Sequence, residues 1–227
     1  MRRLLIGFAV CFLLTSNSPL VGQHRDERPP IRELLSLLQQ HYATLEDFSA
    51  TFEHSYSGGL LQASQPEFGI VSIKKPRRWR FDYETPERKI FVSDGRTVHS
   101  VFLDDRQVII SDAPTERGAS TPALFLAGEG DLTTDFTADY ALTINVPTPH
   151  WVVHLQPIRA DADYEYLTLT IDPENLEIRQ MATTDFQGGL STYTFTEFKI
   201  NINLTDNFFT FDVPRNFEVF RDDVFTR

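Results

Sequence analysis

Between Phe48 and Val213 the chain is a succession of short runs in which apolar side chains recur at every second position, each run closed by a turn signal. No other feature constrains the fold as much. A period of two places one set of side chains on each face of an extended strand. Gly58-Gly59, Pro76, Thr85-Pro86, Asp94-Gly95, Asp104-Asp105, Asp172-Pro173-Glu174-Asn175 and Gln187-Gly188-Gly189 punctuate the runs. Asp94-Gly95 is a hairpin signal, because Gly tolerates the positive φ of a tight turn. The runs are Phe48–Ser57, Phe68–Lys74, Arg78–Glu84, Lys89–Ser93, Thr97–Leu103, Gln107–Ser111, Phe136–Val146, Trp151–Gln156, Tyr164–Ile171, Leu176–Thr183, Leu190–Asn203 and Phe208–Val213. They predict about eleven antiparallel strands in a meander. So long a meander must curl, close or be covered, since neither its apolar face nor its edges can be left bare.

Two segments break the pattern. IRELLSLLQQHYATLEDF carries Ile31, Leu34, Leu35, Leu38, Tyr42 and Leu45 at helical spacing behind Pro30, and predicts one amphipathic helix over about residues 30–46. TPALFLAGEGDL, from Thr121 to Leu132, offers a capping Thr, a first-turn Pro and an apolar Leu124-Phe125-Leu126 stopped by Gly128 and Gly130. It predicts a short apolar helix inserted between strands. The fold class expected is mainly β with few helices: a half-open antiparallel barrel whose mouth is covered by the N-terminal helix and the inserted one.

The first residues, MRRLLIGFAVCFLLTSNSPLVGQ, set a positive pair before an apolar run from Leu4 to Leu14. That run is too short for a spanning helix, which needs roughly 20 apolar residues. It reads as a Sec-type secretory signal over residues 1–22, cut between Ser16 and Gln23. Cys11, the sole cysteine of the 227 residues, lies inside that run, so the mature chain is expected to have no disulfide, thiol chemistry or lipidated cysteine. Losing Arg2 and Arg3 takes the net charge from −11 to −13. The remaining chain reads as one domain, residues 30–223.

Lys74 to Pro86, KKPRRWRFDYETP, superficially suggests nucleic-acid binding. Parity argues otherwise. Trp79, Phe81 and Tyr83 fall on one face of a strand, and Arg78, Arg80, Asp82 and Glu84 on the other. Nucleic-acid readers place basic and aromatic groups on one face, and an acidic chain is a poor partner for phosphate backbones. No nucleic-acid partner is expected. The aromatic face can be packed core or the lining of a ligand cavity, and periodicity does not separate the two. No G-x-S-x-G, H-E-x-x-H or phosphate-binding glycine loop is present. His150 and His154 lie about 13 Å apart along an extended strand, too far to share a metal. No enzyme activity, cofactor or metal is expected.

LEDFSATFEHSY, GIVSIKKPRRWRFDYETPERKIFVSDGRTVHSVF, TPALFLA, YLTLTIDPENLEIRQM and FFTFDVPRNFEVF, in this order, resemble the periplasmic outer-membrane lipoprotein carrier proteins of the LolA type, from about Leu34 to Val219. The resemblance implies an unclosed barrel whose apolar cavity receives the acyl chains of lipoproteins. It implies a periplasmic monomer that takes this cargo from an inner-membrane ABC transporter and delivers it to an outer-membrane receptor. Trp79, Phe81, Tyr83, Phe68 and Ile70 are then expected to line the cavity or its entrance. Leu34, Leu35, Leu38, Leu124, Phe125 and Leu126 are expected to form the lid. Many family members carry an Arg before the Pro of the basic-basic-Pro element, bonded to the lid. Here Lys75 stands in that place, and Lys75, Arg77 or Arg78 is the expected latch. The alternative is a lipid carrier or sensor of the same fold, acting on another lipid or on a regulator.

Overall fold

The computed structural model describes residues 28–58, 65–113, 126, 130–141, 149–158 and 164–222. Helix α1 spans Ile31–Thr44 and is followed by β1 (Asp47–Ser57), β2 (Glu67–Lys74), β3 (Arg78–Thr85), β4 (Lys89–Ser93), β5 (Thr97–Phe102) and β6 (Gln107–Asp112). Then come β7 (Phe136–Tyr140), β8 (Trp151–Pro157), β9 (Tyr166–Ile171), β10 (Ile178–Thr184), β11 (Leu190–Ile200) and β12 (Glu218–Asp222). These strands form one twelve-stranded sheet in the order β12-β6-β5-β4-β3-β2-β1-β11-β10-β9-β8-β7. Two meanders are joined where β1 pairs with β11, from Phe48 opposite Ile200 to Ser57 opposite Leu190. Strands β7 and β12 are the two ends of the order, so the barrel stays open.

Its concave face is filled by α1. Leu34, Leu35, Leu38 and Tyr42 are buried in a cluster with Phe48, Phe52, Val71, Ile73 and Phe81 from one meander and Val153, Leu155, Leu169, Ile171 and Phe195 from the other. Burying each such leucine contributes roughly 2 kcal/mol, more than the intrinsic helix preference of a helix this short. The helix exists because the sheet covers its apolar stripe. The predicted hairpin forms between β4 and β5, with Gly95 at φ 92° and the Asp94 carboxylate accepting from the Arg96 and Thr97 amides at 2.8 Å each.

A second apolar cluster lies on the convex face. Ile90, Val92, Val101 and Val108 are covered there by Phe209, with Phe211, Val213 and Phe217 packed against them. This corrects the expectation of a strand at Phe208–Val213. The segment is a 3₁₀ turn, Asp206–Phe209, followed by residues outside any ladder. Its alternation reports alternate side chains pressed onto a sheet, which needs no backbone pairing. The last strand is β12 instead, and it lies parallel to β6, with Phe220 opposite Ile109. The all-antiparallel expectation therefore fails at this edge, because a chain returning across the convex face arrives beside β6 in the same direction. Of the run Phe136–Val146, β7 covers Phe136–Tyr140, and residues 142–148 lie outside the described residues. The signal segment 1–22 lies outside them too, as do Leu124 and Phe125 of the inserted helix. Leu126 is helical and buried in the concave cluster, with Leu132 beside it.

Candidate functional site: the concave face and its helical cover

The concave face is built by parity. Opposite Gly69, Val71 and Ile73 of β2 stand Tyr83, Phe81 and Trp79 of β3. Phe81 and Tyr83 are buried and Trp79 packs at the margin of the same cluster. Phe52 of β1 lies against both, its ring 5.7 Å from Phe81 and 4.8 Å from Tyr83. Gly69 permits this approach: a Cβ there would stand 2.8 Å from the Phe52 ring and 2.0 Å from the Asp82 carbonyl oxygen.

Phe68 and Ile70 do not join them. Both point to the convex face, 44% and 40% exposed. They alternate with Gly69 and Val71, so a strand that turns Val71 inward must turn Ile70 outward. The odd residues of this strand begin with a Gly, and the inward set was therefore not obvious from apolar content. Arg80 and Asp82, on the convex side of β3, pair at 2.8 Å, and Arg80 Nη1 donates to the Phe208 carbonyl at 3.1 Å. The charged row of β3 thus seats the returning C-terminal segment.

Leu34, Leu35 and Leu38 project from α1 onto this concave surface. Polar ties hold the helix beyond its apolar contacts. At its middle, Gln39 accepts from the Leu132 amide at 3.2 Å and donates to the Gly130 carbonyl at 3.4 Å. At its C-terminal end, the Tyr42 hydroxyl accepts from the Ile178 amide of β10 at 3.0 Å. The Tyr42 carbonyl, one of the helix-end acceptors that no helical amide satisfies, receives the Lys75 ammonium. Burial holds the Lys75 pKa below the ordinary lysine value. Burial also pushes the Tyr42 hydroxyl well up, which keeps it neutral.

The three basic residues of the turn between β2 and β3 have separate places. Lys75 meets α1. Arg78 faces Asp206 at 3.4 Å on the other side, as does Lys74, which sits 2.6 Å from the same carboxylate. Arg77 occupies the left-handed turn position at φ 65°, its Cβ about where Gly95 leaves room. Beside Lys75 runs a groove of about 590 Å³, lined also by Ala43, Leu45, Pro76 and Leu204.

Sequence reasoning missed Asp47. It is buried, and its carboxylate accepts from the Ile202 amide at 2.7 Å and the Leu204 amide at 3.0 Å. It anchors the chain where it leaves β11 through Asn201 and Asn203, both at positive φ. The only signal was an acidic residue directly before an apolar strand.

Residues 43–212 match the family model of the outer membrane lipoprotein carrier protein LolA. The chain belongs to the LolA family. Curated relatives include outer-membrane lipoprotein carrier proteins of Chromohalobacter salexigens, 29% identical with 96% of each chain covered, and of Nitrosomonas europaea, 26% identical over 79% of this chain and 86% of that one. Among solved structures, an uncharacterized conserved protein from Thermus thermophilus shares the fold, with a TM-score of 0.54 and 14% identity over 85% of this chain and 99% of that one. The LolA match spans β1 to β11 and the first part of the segment that returns over the convex face.

Proposed function

We propose that this LolA-family chain is a periplasmic lipoprotein carrier without enzymatic activity. Acyl chains of the cargo take the place of α1 on the concave face, lined by Trp79, Phe81 and Tyr83. Lys75 is the latch that favours the closed state, and Leu34, Leu35, Leu38 and Leu126 are lid contacts. The observation that supports this reading is the helical cover: one helix, held by four buried side chains and a few polar ties, packs on the apolar concave face.

The energetics suit carriage. A long acyl chain left in water costs on the order of 10 kcal/mol at about 0.8 kcal/mol per methylene. The helix face removes a similar quantity, roughly 2 kcal/mol for each of its buried side chains. For a single acyl chain the exchange is close to balanced, and each further chain of the cargo tips it toward uptake. The proposed route runs from an inner-membrane ABC transporter to an outer-membrane receptor. The cleaved leader at residues 1–22 directs export of a single domain, residues 30–223, that works as a monomer.

The test is release of a triacylated lipoprotein from inner-membrane vesicles into solution. A soluble one-to-one complex with the purified chain is expected. If only free phospholipid is taken up, the cargo is another lipid, and if nothing is taken up the carrier reading falls.

A further inference from the structure

At one end of the concave face the apolar lining gives way to a polar cluster shared by five adjacent strands. His54 of β1 follows Phe48, Ala50 and Phe52 on the inward side, opposite Glu67 of β2 and Tyr193 of β11. Tyr83 of β3 stands opposite Lys89 of β4. His54 Nδ1 lies 3.1 Å from Glu67 Oε2, and Nε2 lies 2.9 Å from Ser191 Oγ. Lys89 bonds Glu67 and sits 5.0 Å over the Tyr83 ring. The Tyr83 and Tyr193 hydroxyls are 2.8 Å apart, and the Tyr193 ring stacks on His54 at 4.1 Å.

Fold stability does not explain such a cluster, since apolar side chains of similar volume at a buried ion pair are often as stabilising or more so. Its rim is open to solvent: the His54, Glu67 and Lys89 side chains remain 17%, 20% and 17% exposed, while Tyr83 beneath them is buried.

Its proton inventory leaves donors over. Glu67 is an acceptor, so His54 Nδ1 carries the proton that faces it, and Nε2 accepts from Ser191. Two tyrosine hydroxyls hold two protons, and their mutual bond uses one. The other finds no acceptor within the cluster, because the ring nitrogen 3.4 Å from the Tyr83 hydroxyl is already protonated. Lys89 brings three N–H donors, of which Glu67 takes one. The charges cancel: Glu67 offsets Lys89, and burial lowers the His54 pKa and so favours the neutral ring. A neutral site with spare donors, placed beside a carboxylate, suits a neutral acceptor and disfavours a carboxylate or phosphate.

We propose that Tyr83, Tyr193 and Lys89 form a seat for the ester or amide carbonyl at the head of an acyl chain. The chain itself runs from there along the concave face toward the Lys75 end. Six residue steps along β1, from Phe48 to His54, give that path a length of about 20 Å. The inference rests on the carrier reading and adds to it a polar register. Cargo is held by its linkage as well as its hydrocarbon, in one orientation.

The test compares ligands that differ only at the linkage. A diacylglyceryl-cysteinyl lipopeptide with ester-linked palmitoyl chains and its ether-linked counterpart displace an apolar fluorescent dye from the full mature chain. Each carbonyl hydrogen bond is worth about two- to tenfold in affinity, so the ester form is expected to bind tighter by about that factor. In Tyr193→Phe, which keeps the ring, the preference is expected to fall toward unity. Equal affinity of ester and ether forms for the native chain overturns the seat. So does an ester preference that Tyr193→Phe and Lys89→Met both leave intact. Failure of the chain to bind the dye or either lipopeptide refutes the carrier reading instead. Tighter binding of the ester lipopeptide than of ester-linked dipalmitoyl phosphatidylglycerol assigns the carbonyl to a lipoprotein head, and the reverse order assigns it to a glycerolipid head.

Discussion

Replacing Lys75 by Met keeps an unbranched stem one atom shorter and removes the charge and donors. In the structure the ammonium bonds the Tyr42 carbonyl at the C-terminal end of α1. A hydrogen bond to a charged group contributes about 1.5–3 kcal/mol, and a cation at a helix C-terminus adds about 0.3–1 kcal/mol. Two features reduce the total. Burial disfavours the charged amine, as its lowered pKa shows. The Tyr42 carbonyl also keeps a second donor, the Leu45 amide at 3.2 Å. A net loss of about 1.5 kcal/mol is expected, which shifts the open-to-closed ratio of the helix about tenfold. Amide hydrogen exchange resolves this by segment. Amides of α1 are expected to exchange about tenfold faster in Lys75→Met, while those of the β1–β11 ladder keep their rates. Lys75→Arg is expected to restore most of the protection. The latch argument is refuted if exchange accelerates equally in helix and sheet, or if α1 is unaffected.

Two further outcomes are expected. Asp47→Ala strips the acceptor from the partly buried Ile202 and Leu204 amides, so denaturant unfolding should show a loss of about 2 kcal/mol; a loss under about 1 kcal/mol would mean that water replaces the carboxylate. His41, His54 and His99 are each held below their ordinary 6.5 chiefly by burial. The unfolded chain therefore binds more protons just below that value, and stability, full above it, drains as pH falls toward the folded values. The melting temperature should drop between pH 7.5 and 5.5, and His54→Gln should lessen the drop; a flat profile contradicts the burial of these rings.

Much of the architecture was legible because local pattern and final environment agree. The stripe Leu34, Leu35, Leu38, Tyr42 needed a sheet to lie on, and one was supplied. Trp79, Phe81 and Tyr83 share a face because a strand has no alternative. The LolA resemblance, carried by short motifs in order, is borne out by the family match over residues 43–212. Less was legible where one pattern serves two structures. Phe209, Phe211 and Val213 alternate like a strand but pack as a strap. Phe68 and Ile70 are as apolar as inward residues and face outward, because their neighbours Gly69 and Val71 hold the inward parity.

The sequence alone determined what depends on neighbours along the chain: the helix, the hairpin at Asp94-Gly95, the separation of aromatic from charged residues on β3, and the acidic balance. Those properties follow from periodicities and turn chemistry within a few residues. The tertiary structure decided which faces meet. It set β1 against β11 across more than a hundred residues. It brought Lys75, rather than Arg77 or Arg78, to the end of α1. It gathered His54, Glu67, Tyr83, Lys89 and Tyr193 from five strands into one cluster. Strand register is a long-range choice, made by the burial of whole faces at once, and no window of sequence contains it.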